Sequence, residues 1–180
     1  MSGTVSIRGD DDDWQVFGKT PKSGGNETLY RSRACSPAVR AYALDNPMMR
    51  LRCVLRDDQV GENGMPRSTK DLDEYEDRLL GKLCEANAEV YLIAVVTGEG
   101  NRDLFFTARD LDDLRTGIKG AAKAGVDTFK LQLAPVADKE IFLDDLSLSQ
   151  EQIEAAAAEG RVKEVPIQRS GGFLGKLFGR

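Results

Sequence analysis

A period-two alternation in the stretch MMRLRCVLR, residues 48–56, constrains the fold more than any other feature of the sequence. Its odd positions are apolar up to Leu55, whereas three arginines and a valine occupy the even positions from 50 onward. This alternation is typical of a β-strand that buries one face in a core. We therefore predict a strand that presents Arg50 and Arg52 on the face pointing away from the core.

The residues after this strand predict a helix. Ser68 is a suitable N-cap, with Asp71 three residues further along. Six apolar side chains between Leu72 and Cys84 recur on one helical face, and the charged side chains fall mostly outside it. This apolar face is expected to pack against the sheet.

Two predicted strands, 89–96 and 102–108, lie on either side of the glycines of the segment TGEGNRD, residues 97–103. A phosphate-binding loop needs a helix after its glycines, because the free N–H groups at a helix N-terminus bind the anion. The residues after these glycines alternate as a strand instead. The segment is therefore predicted to be a hairpin turn, in which Gly98, Gly100 and Asn101 accept a positive φ.

The remaining elements complete a regular order. Asp110 begins a second helix, with Gly125 as a residue just past its end, and residues 129–133 alternate as a further strand. Ser149 caps a third helix that runs to about Glu159. Two short strands are predicted before the first arginine-bearing strand, at Trp14–Phe17 and Thr28–Ala34.

From Met48 to Ala134 the predicted order is β-α-β-β-α-β, the ferredoxin-like arrangement of the α+β class, with an antiparallel sheet and both helices on one face. The predicted domain organisation is an acidic disordered leader (1–13), a single α+β domain (14–160, core 48–134) and a basic linker with a short amphipathic tail (161–180). The leader ends in four aspartates, and such charge runs are usually solvated.

Composition narrows the function further. The chain of 180 residues has no histidine, which removes serine–histidine and cysteine–histidine catalysis and histidine-ligated metals. Its three cysteines lack metal-site spacing, and its longest apolar run, Val90–Val96, is too short to span a bilayer. We expect a cytoplasmic protein with reduced thiols and predict no catalytic residue, metal or cofactor.

Four motifs in this order resemble a bacterial domain-of-unknown-function family, DUF six-nine-five. They are RLR (50–52), ENGMP (62–66), LDEYEDRL (72–79) and TGEGNRDLFF (97–106). The resemblance covers roughly Trp14–Leu133, and members of the family are often found beside a domain similar to RraB, the inhibitor of ribonuclease E. It implies a small cytosolic bacterial α+β protein and brings no established activity. The segment after Leu133 departs from the family pattern.

The acidic clusters are predicted to be structural. Glu74 and Arg78 are spaced as a surface ion pair on the first helix, and the aspartates that begin the second helix suit its dipole. Glu76 and Asp77 border the apolar stripe. One of these two carboxylates is expected to reach Arg102 and join the helix to the hairpin.

The arginine-bearing sheet face is the first candidate for partner binding. If Asp103 and Phe105 share the face of Arg50 and Arg52, arginine lies beside an aromatic ring. Such a surface suits single-stranded RNA as well as protein, although the acidic composition disfavours RNA and strands from the N-terminal region could cover the face. Arg102 and Asp103 at the hairpin edge are candidates as well.

The second candidate is the C-terminal tail. After a Ser-Gly-Gly joint, four apolar residues form one face of a two-turn amphipathic helix; they are Phe173, Leu174, Leu177 and Phe178. Three roles are open: docking on a partner protein, weak contact with an anionic membrane surface, or folding back on its own domain.

Together these features predict a non-catalytic protein-binding domain, a regulator or inhibitor whose tail provides an additional contact. Two alternatives stay open. One is an RNA-associated regulator that uses the arginine-bearing face. The other is an enzyme that uses carboxylates, with Mg²⁺, on a phosphate-containing substrate.

Overall fold

The computed structural model of the protein describes the backbone of residues 4–8 and all atoms of residues 14–21, 23–122 and 128–160. In these residues the chain forms seven strands and five α-helices. The strands are β1 (Thr4–Arg8), β2 (Gln15–Thr20), β3 (Thr28–Ser32), β4 (Met48–Leu55), β5 (Val90–Gly98), β6 (Asn101–Ala108) and β7 (Phe129–Pro135). The helices are α1 (Pro37–Asp45), α2 (Lys70–Glu85), α3 (Leu111–Ala121), α4 (Lys139–Asp145) and α5 (Gln150–Ala158).

The strands form one antiparallel sheet in the order β1-β2-β3-β5-β6-β4-β7. The part β5-β6-β4-β7, together with α2 and α3, is the predicted β-α-β-β-α-β core, so the ferredoxin-like α+β fold is confirmed. The three N-terminal strands extend this sheet beyond β5.

The face covered by α2 and α3, here called the helical face, contains the main core. Met49, Leu51 and Cys53 of β4 are buried there, as the alternation predicts, against apolar side chains of both helices. Each fully buried aliphatic side chain contributes about 1.5–3 kcal/mol. The helices approach closely at Gly117 of α3, where a Cβ atom would lie 2.5 Å from Cδ2 of Leu83. A side chain at position 117 would therefore require Leu83 or the helices to shift.

The opposite face of the sheet, the reverse face, is covered at one end by α1 and α4. Ile93, Ala94 and Phe105 are buried there with Leu143 of α4. A bulge between β5 and β6 at Ile93 turns both Ile93 and Ala94 to this face. The Nζ atom of Lys139 donates to carbonyl oxygens at the C-terminal end of α1, which fixes α4 beside α1.

Several element boundaries match those predicted from the sequence, and others differ from them. Asp110 and Ser149 cap α3 and α5 as predicted, each accepting a backbone N–H two or three residues on. Helix α2 begins at Lys70 after Thr69, and Ser68 accepts from the Lys70 amide. Strand β2 runs to Thr20, further than the predicted Phe17, because Gly18–Thr20 pairs with β1 and β3.

The N-terminal leader differs from its expected disorder over residues 4–8, which form β1. This segment, TVSIR, contains two β-branched apolar residues in alternation, and β2 offers it a free edge. Helix α5 packs against β1, and on the reverse face Phe17 stacks on Tyr30 and meets Leu148. The four aspartates at 10–13, the predicted C′ residue Gly125 and the predicted tail at 161–180 lie outside the described residues.

Candidate functional site

The TGEGNRD segment is the tight turn of the β5–β6 hairpin, as the sequence predicts. The two residues with positive φ are Glu99 (50°) and Gly100 (74°), which is the pattern of a type I′ turn. The expectation of positive φ at Gly98 and Asn101 is therefore wrong. Gly98 instead allows β5 to lie close to Thr28 of β3, because a Cβ atom at this position would lie 2.9 Å from Oγ1 of Thr28.

A second loop of the family-like pattern, ENGMP, supports this turn. The Gly100 N–H donates to the carbonyl oxygen of Gly64 at 2.8 Å, and Gly64 itself has a φ of 72°. A Cβ atom at Gly64 would lie 3.3 Å from backbone atoms of Glu99. The two motifs are thus one structural unit in which the backbone of one loop contacts the backbone of the other.

On the helical face, Arg102 and Glu76 belong to one buried ionic cluster. Nη1 of Arg102 lies 2.5 Å from Asp73 and 3.8 Å from Glu76, while its Nε donates to Thr97. Glu76 also pairs with Arg31 of β3. The predicted contact of Glu76 with Arg102 is therefore present at 3.8 Å, but the closer link from helix to hairpin is made by Asp73, which was not predicted.

The partner of Glu76 on β3 was not predicted from the sequence. Trp14 lies beneath the guanidinium groups of Arg31 and Arg33, at 5.5 and 5.2 Å from its ring centroid. The alternate spacing of Arg31 and Arg33 is visible in the sequence, but the carboxylate that pairs with Arg31 lies 45 positions away. Such a distant pairing leaves no local pattern in the sequence.

Near this cluster, Asp77 has a raised pKa, whereas pairing with a cation lowers the pKa of a carboxyl group. Partial burial raises its pKa, and the negative charges of Glu76 and Asp73 raise it further. Arg31 opposes the shift without cancelling it. The raised pKa of Asp77 therefore has a structural cause and does not by itself mark a catalytic acid.

On the reverse face, Arg52 and Asp103 form a two-pronged ion pair across β4 and β6. Nε and Nη2 of Arg52 donate to the two carboxylate oxygens of Asp103, both at 2.7 Å. These hydrogen bonds raise the pKa of Arg52 and fix the plane of its guanidinium. Arg50 lies two residues away on the same face and is half-buried.

Phe105 lies on the same face, yet it is buried. Its ring packs on Phe142 of α4, with 4.6 Å between centroids. The expected exposed pairing of arginine with an aromatic is therefore absent at Phe105, because α4 covers that end of the sheet. Arg102 and Asp103, although adjacent in sequence, point to opposite faces.

The part of the reverse face that no described helix covers is here called the open sheet surface. It consists of Arg50, Arg52, Asp103, Lys130 and Gln132, with Lys130 and Gln132 exposed on β7 opposite Val54 and Arg52. It carries three positive charges and one negative charge. A shallow depression of about 210 Å³ adjoins it, lined mainly by polar groups that include Arg52, Asp103 and Tyr30.

A second, wider depression of about 580 Å³ lies among α1, α4 and α5. Its lining includes Cys35 and the ion pair of Arg40 with Asp144. In the described part of the chain, no three acidic or thiol side chains come together as metal ligands. The predicted i,i+4 pair of Glu74 and Arg78 is present at 3.9 Å on the helix surface.

The cysteines occupy different environments. Cys35 and Cys84 are exposed, whereas Cys53 is buried in the core, where burial raises the pKa of its thiol to about 12. None of the three is in a disulfide. A buried thiol of this kind is an apolar core group rather than a nucleophile.

Comparison with known proteins gives no assignment: no family model matches the chain, and neither the curated proteins nor the solved structures compared with it include a significant match. The resemblance to DUF six-nine-five stays a prediction. None of the helices in the described part of the chain has the length and hydrophobicity that crossing a bilayer requires. The tail candidates Phe173, Leu174, Leu177 and Phe178 lie outside that part.

Proposed function

We propose that the protein is a non-catalytic binding module that recognises an acidic surface of another protein through the open sheet surface. The observation that carries this proposal is the guanidinium of Arg52, partly exposed and held in a fixed plane by Asp103. A planar, pre-oriented guanidinium is well suited to carboxylate recognition. Arg50 and Lys130 add positive charge beside it.

The charge balance supports this choice of partner. The chain has a net charge of -5, so a locally positive surface on it is a departure from the whole. Complementary potentials fix the orientation of two proteins and accelerate their encounter. The depression beside Arg52, at about 210 Å³, is smaller than the roughly 300–1,000 Å³ of usual small-molecule sites.

In this proposal the protein acts in the bacterial cytoplasm as a regulator or inhibitor of its partner, with residues 173–180 as an additional contact. The exposed thiols of Cys35 and Cys84 fit a reducing compartment. RNA is the weaker alternative ligand for the same surface, because Phe105 is buried and stacking on an aromatic side chain is a main source of single-strand affinity.

The experiment is affinity capture from a bacterial lysate with four immobilised proteins, each tested with and without ribonuclease. They are the wild type, the double variant Arg50→Glu/Lys130→Glu, the matched control Lys82→Glu/Arg115→Glu, and a chain lacking Phe173–Arg180. The control makes the same charge change at exposed positions of α2 and α3. Far-UV circular dichroism checks that every variant folds.

We expect the wild type and the control to retain the same protein partner in the presence of ribonuclease. The Arg50→Glu/Lys130→Glu variant is expected to lose it, and the shortened chain to bind it more weakly. Capture that disappears with ribonuclease would assign the surface to RNA. Equal capture by both double variants would show that the open sheet surface is not the binding site.

A further inference from the structure

The outer edge of β7 has backbone groups whose direction can be derived from the ladder with β4. The Arg56 N–H donates to the Thr128 carbonyl at 3.2 Å, and the Val136 N–H donates to the Met48 carbonyl at 3.0 Å. Hydrogen-bonded pairs alternate along an antiparallel ladder. Given the register of these strands, Lys130, Gln132 and Ala134 therefore bond to β4.

It follows that Phe129, Leu131 and Leu133 direct their N–H and C=O groups away from β4. Among the described residues, β7 ends the sheet and no strand lies on its outer side. The three side chains belong to the helical face, where Phe129 is buried, Leu133 is half-buried and Leu131 is 38% exposed. The edge therefore presents unpaired backbone groups together with an exposed leucine.

We propose that this edge pairs with the β7 edge of a second copy of the chain, giving a two-fold symmetric dimer with one continuous sheet. The strand reads FKLQL, so apolar and polar residues alternate symmetrically about Leu131. A two-fold axis requires such a self-complementary pattern, because each residue then meets the corresponding residue of the other copy. The occupant is therefore this same strand.

Register and charge select one pairing. With Leu131 opposite Leu131 of the second copy, Phe129 lies opposite its Leu133, and all three outward-facing residues form backbone hydrogen bonds. Lys130 then lies beside Gln132 of the second copy. In the register shifted by two residues toward the N-terminus, the two Lys130 side chains would face each other, and like charges directly opposite are destabilising.

The same register is compatible with Pro135 at the end of the strand. Pro135 has no N–H to donate, and proline at an edge limits strand addition. In the pairing centred on Leu131, Pro135 lies beyond the paired stretch. A contact made by one strand edge is small, and interfaces below about 1,200 Å² are typical of weak complexes, so we expect a reversible, concentration-dependent dimer.

The test is sedimentation equilibrium of the full chain over a range of concentrations, with the variants Leu131→Lys and Leu131→Glu. Each variant alone places like charges on the two-fold axis, so its dissociation constant should rise by about tenfold or more. An equimolar mixture of the two should recover a dimer, because opposite charges then face each other. Ile141→Lys, at a position 67% exposed on α4, is the matched control and should dimerise like the wild type.

The proposal is overturned if the wild type is a monomer at every concentration. It is also overturned if both Leu131 variants dimerise as the wild type does, which would place the interface elsewhere. The mixing experiment distinguishes loss of pairing from loss of folding, because misfolded variants would not recover on mixing. This dimer is independent of the proposed function and would set two open sheet surfaces side by side.

Discussion

Glu76 places its carboxyl group at a position that is only 3% exposed. This is possible because Arg31 and Arg102 approach it from two strands, so the charge is balanced and part of its lost hydration is replaced. Arg102, 8% exposed, has Asp73 as a second partner. The cluster joins α2 to β3 and to the hairpin through groups that are costly to separate.

We expect Glu76→Gln to lower the free energy of unfolding by about 1–3 kcal/mol, because Arg31 loses its charged partner and Arg102 keeps only Asp73. Urea denaturation measures this. Glu74→Gln is the control on the same helix, since it removes only an exposed pair with Arg78 and should cost less than about 1 kcal/mol. Equal effects of the two substitutions would contradict the structural role of Glu76.

Because of Cys53, the free energy of unfolding depends on pH in the alkaline range. Burial raises the pKa of its thiol to about 12 in the folded protein, whereas a thiol in the unfolded chain ionises near pH ~8.5. Below pH ~8.5 both states hold the proton, and above it the unfolded state alone loses it. The stability linked to Cys53 is therefore complete at neutral pH and declines as pH rises from about 8.5 towards about 12.

Comparison with Cys53→Ala separates the effect of the Cys53 thiol from that of other groups that titrate at alkaline pH. Urea denaturation of the wild type and of Cys53→Ala at pH 7, 8, 9 and 10 should show the largest difference between them at neutral pH. The difference should then shrink by up to about 1.4 kcal/mol for each pH unit well above the unfolded-state pKa. A difference that stays constant with pH would mean that the thiol is accessible to ionisation in the folded state.

At the scale of elements, the β5–β6 turn has one residue that favours a positive φ and one that disfavours it. Gly100 tolerates its φ of 74°, whereas Glu99 adopts a φ of 50° with a full side chain. A residue other than glycine or asparagine in this region costs roughly 1–2 kcal/mol. The turn is held despite this cost, because Gly100 also bonds to Gly64 and to the Leu55 amide.

Glu99→Asn should therefore stabilise the protein by about 1 kcal/mol, since Asn-Gly is the preferred pair for this turn type. Gly100→Ala is the matched opposite, expected to destabilise by about 1–3 kcal/mol because alanine resists a positive φ. Thermal and urea unfolding of the two variants should move in opposite directions from the wild type. Movement in the same direction would contradict the turn geometry.

Local sequence patterns predict the helices and strands of the core, but they predict few of the tertiary contacts between them. The alternation of β4, the apolar stripe of α2 and the caps at Asp110 and Ser149 act within a few residues, so their signals are visible in the sequence. Helix α1 was missed although Ser36 followed by Pro37 is a helix-start signal. The burial of Phe105 under α4 could not be predicted, because it depends on where a later helix docks.

In the candidate site too, local signals are visible in the sequence and tertiary contacts are not. The shared face of Arg50, Arg52 and Asp103 follows from strand periodicity once β4 and β6 are known to pair. The pairing register that brings Arg52 opposite Asp103 depends on the hairpin turn and on the connection through α2. Sequence periodicity therefore predicted which residues share a face, while the contact between Arg52 and Asp103 required the tertiary structure.

At the scale of the whole molecule, the added elements are tied to the core from both faces. Strand β3 pairs with β5 in the sheet, Arg31 bonds to Glu76 of α2, and Phe17 packs with Tyr30 and Leu148 on the reverse face. Separating the N-terminal strands from the core would expose these contacts together. We infer that the described domain unfolds as one cooperative unit.

Trp14 is the only tryptophan, and it lies in the N-terminal region beside Arg31 and Arg33. Its fluorescence reports on the added strands, whereas far-UV circular dichroism reports mainly on the helices. In urea both signals should give one midpoint, and Phe17→Ala should shift both together by the equivalent of about 3–5 kcal/mol, because it leaves a cavity. An earlier fluorescence midpoint in the wild type or in Phe17→Ala would show that the N-terminal strands detach from the ferredoxin-like core before it unfolds.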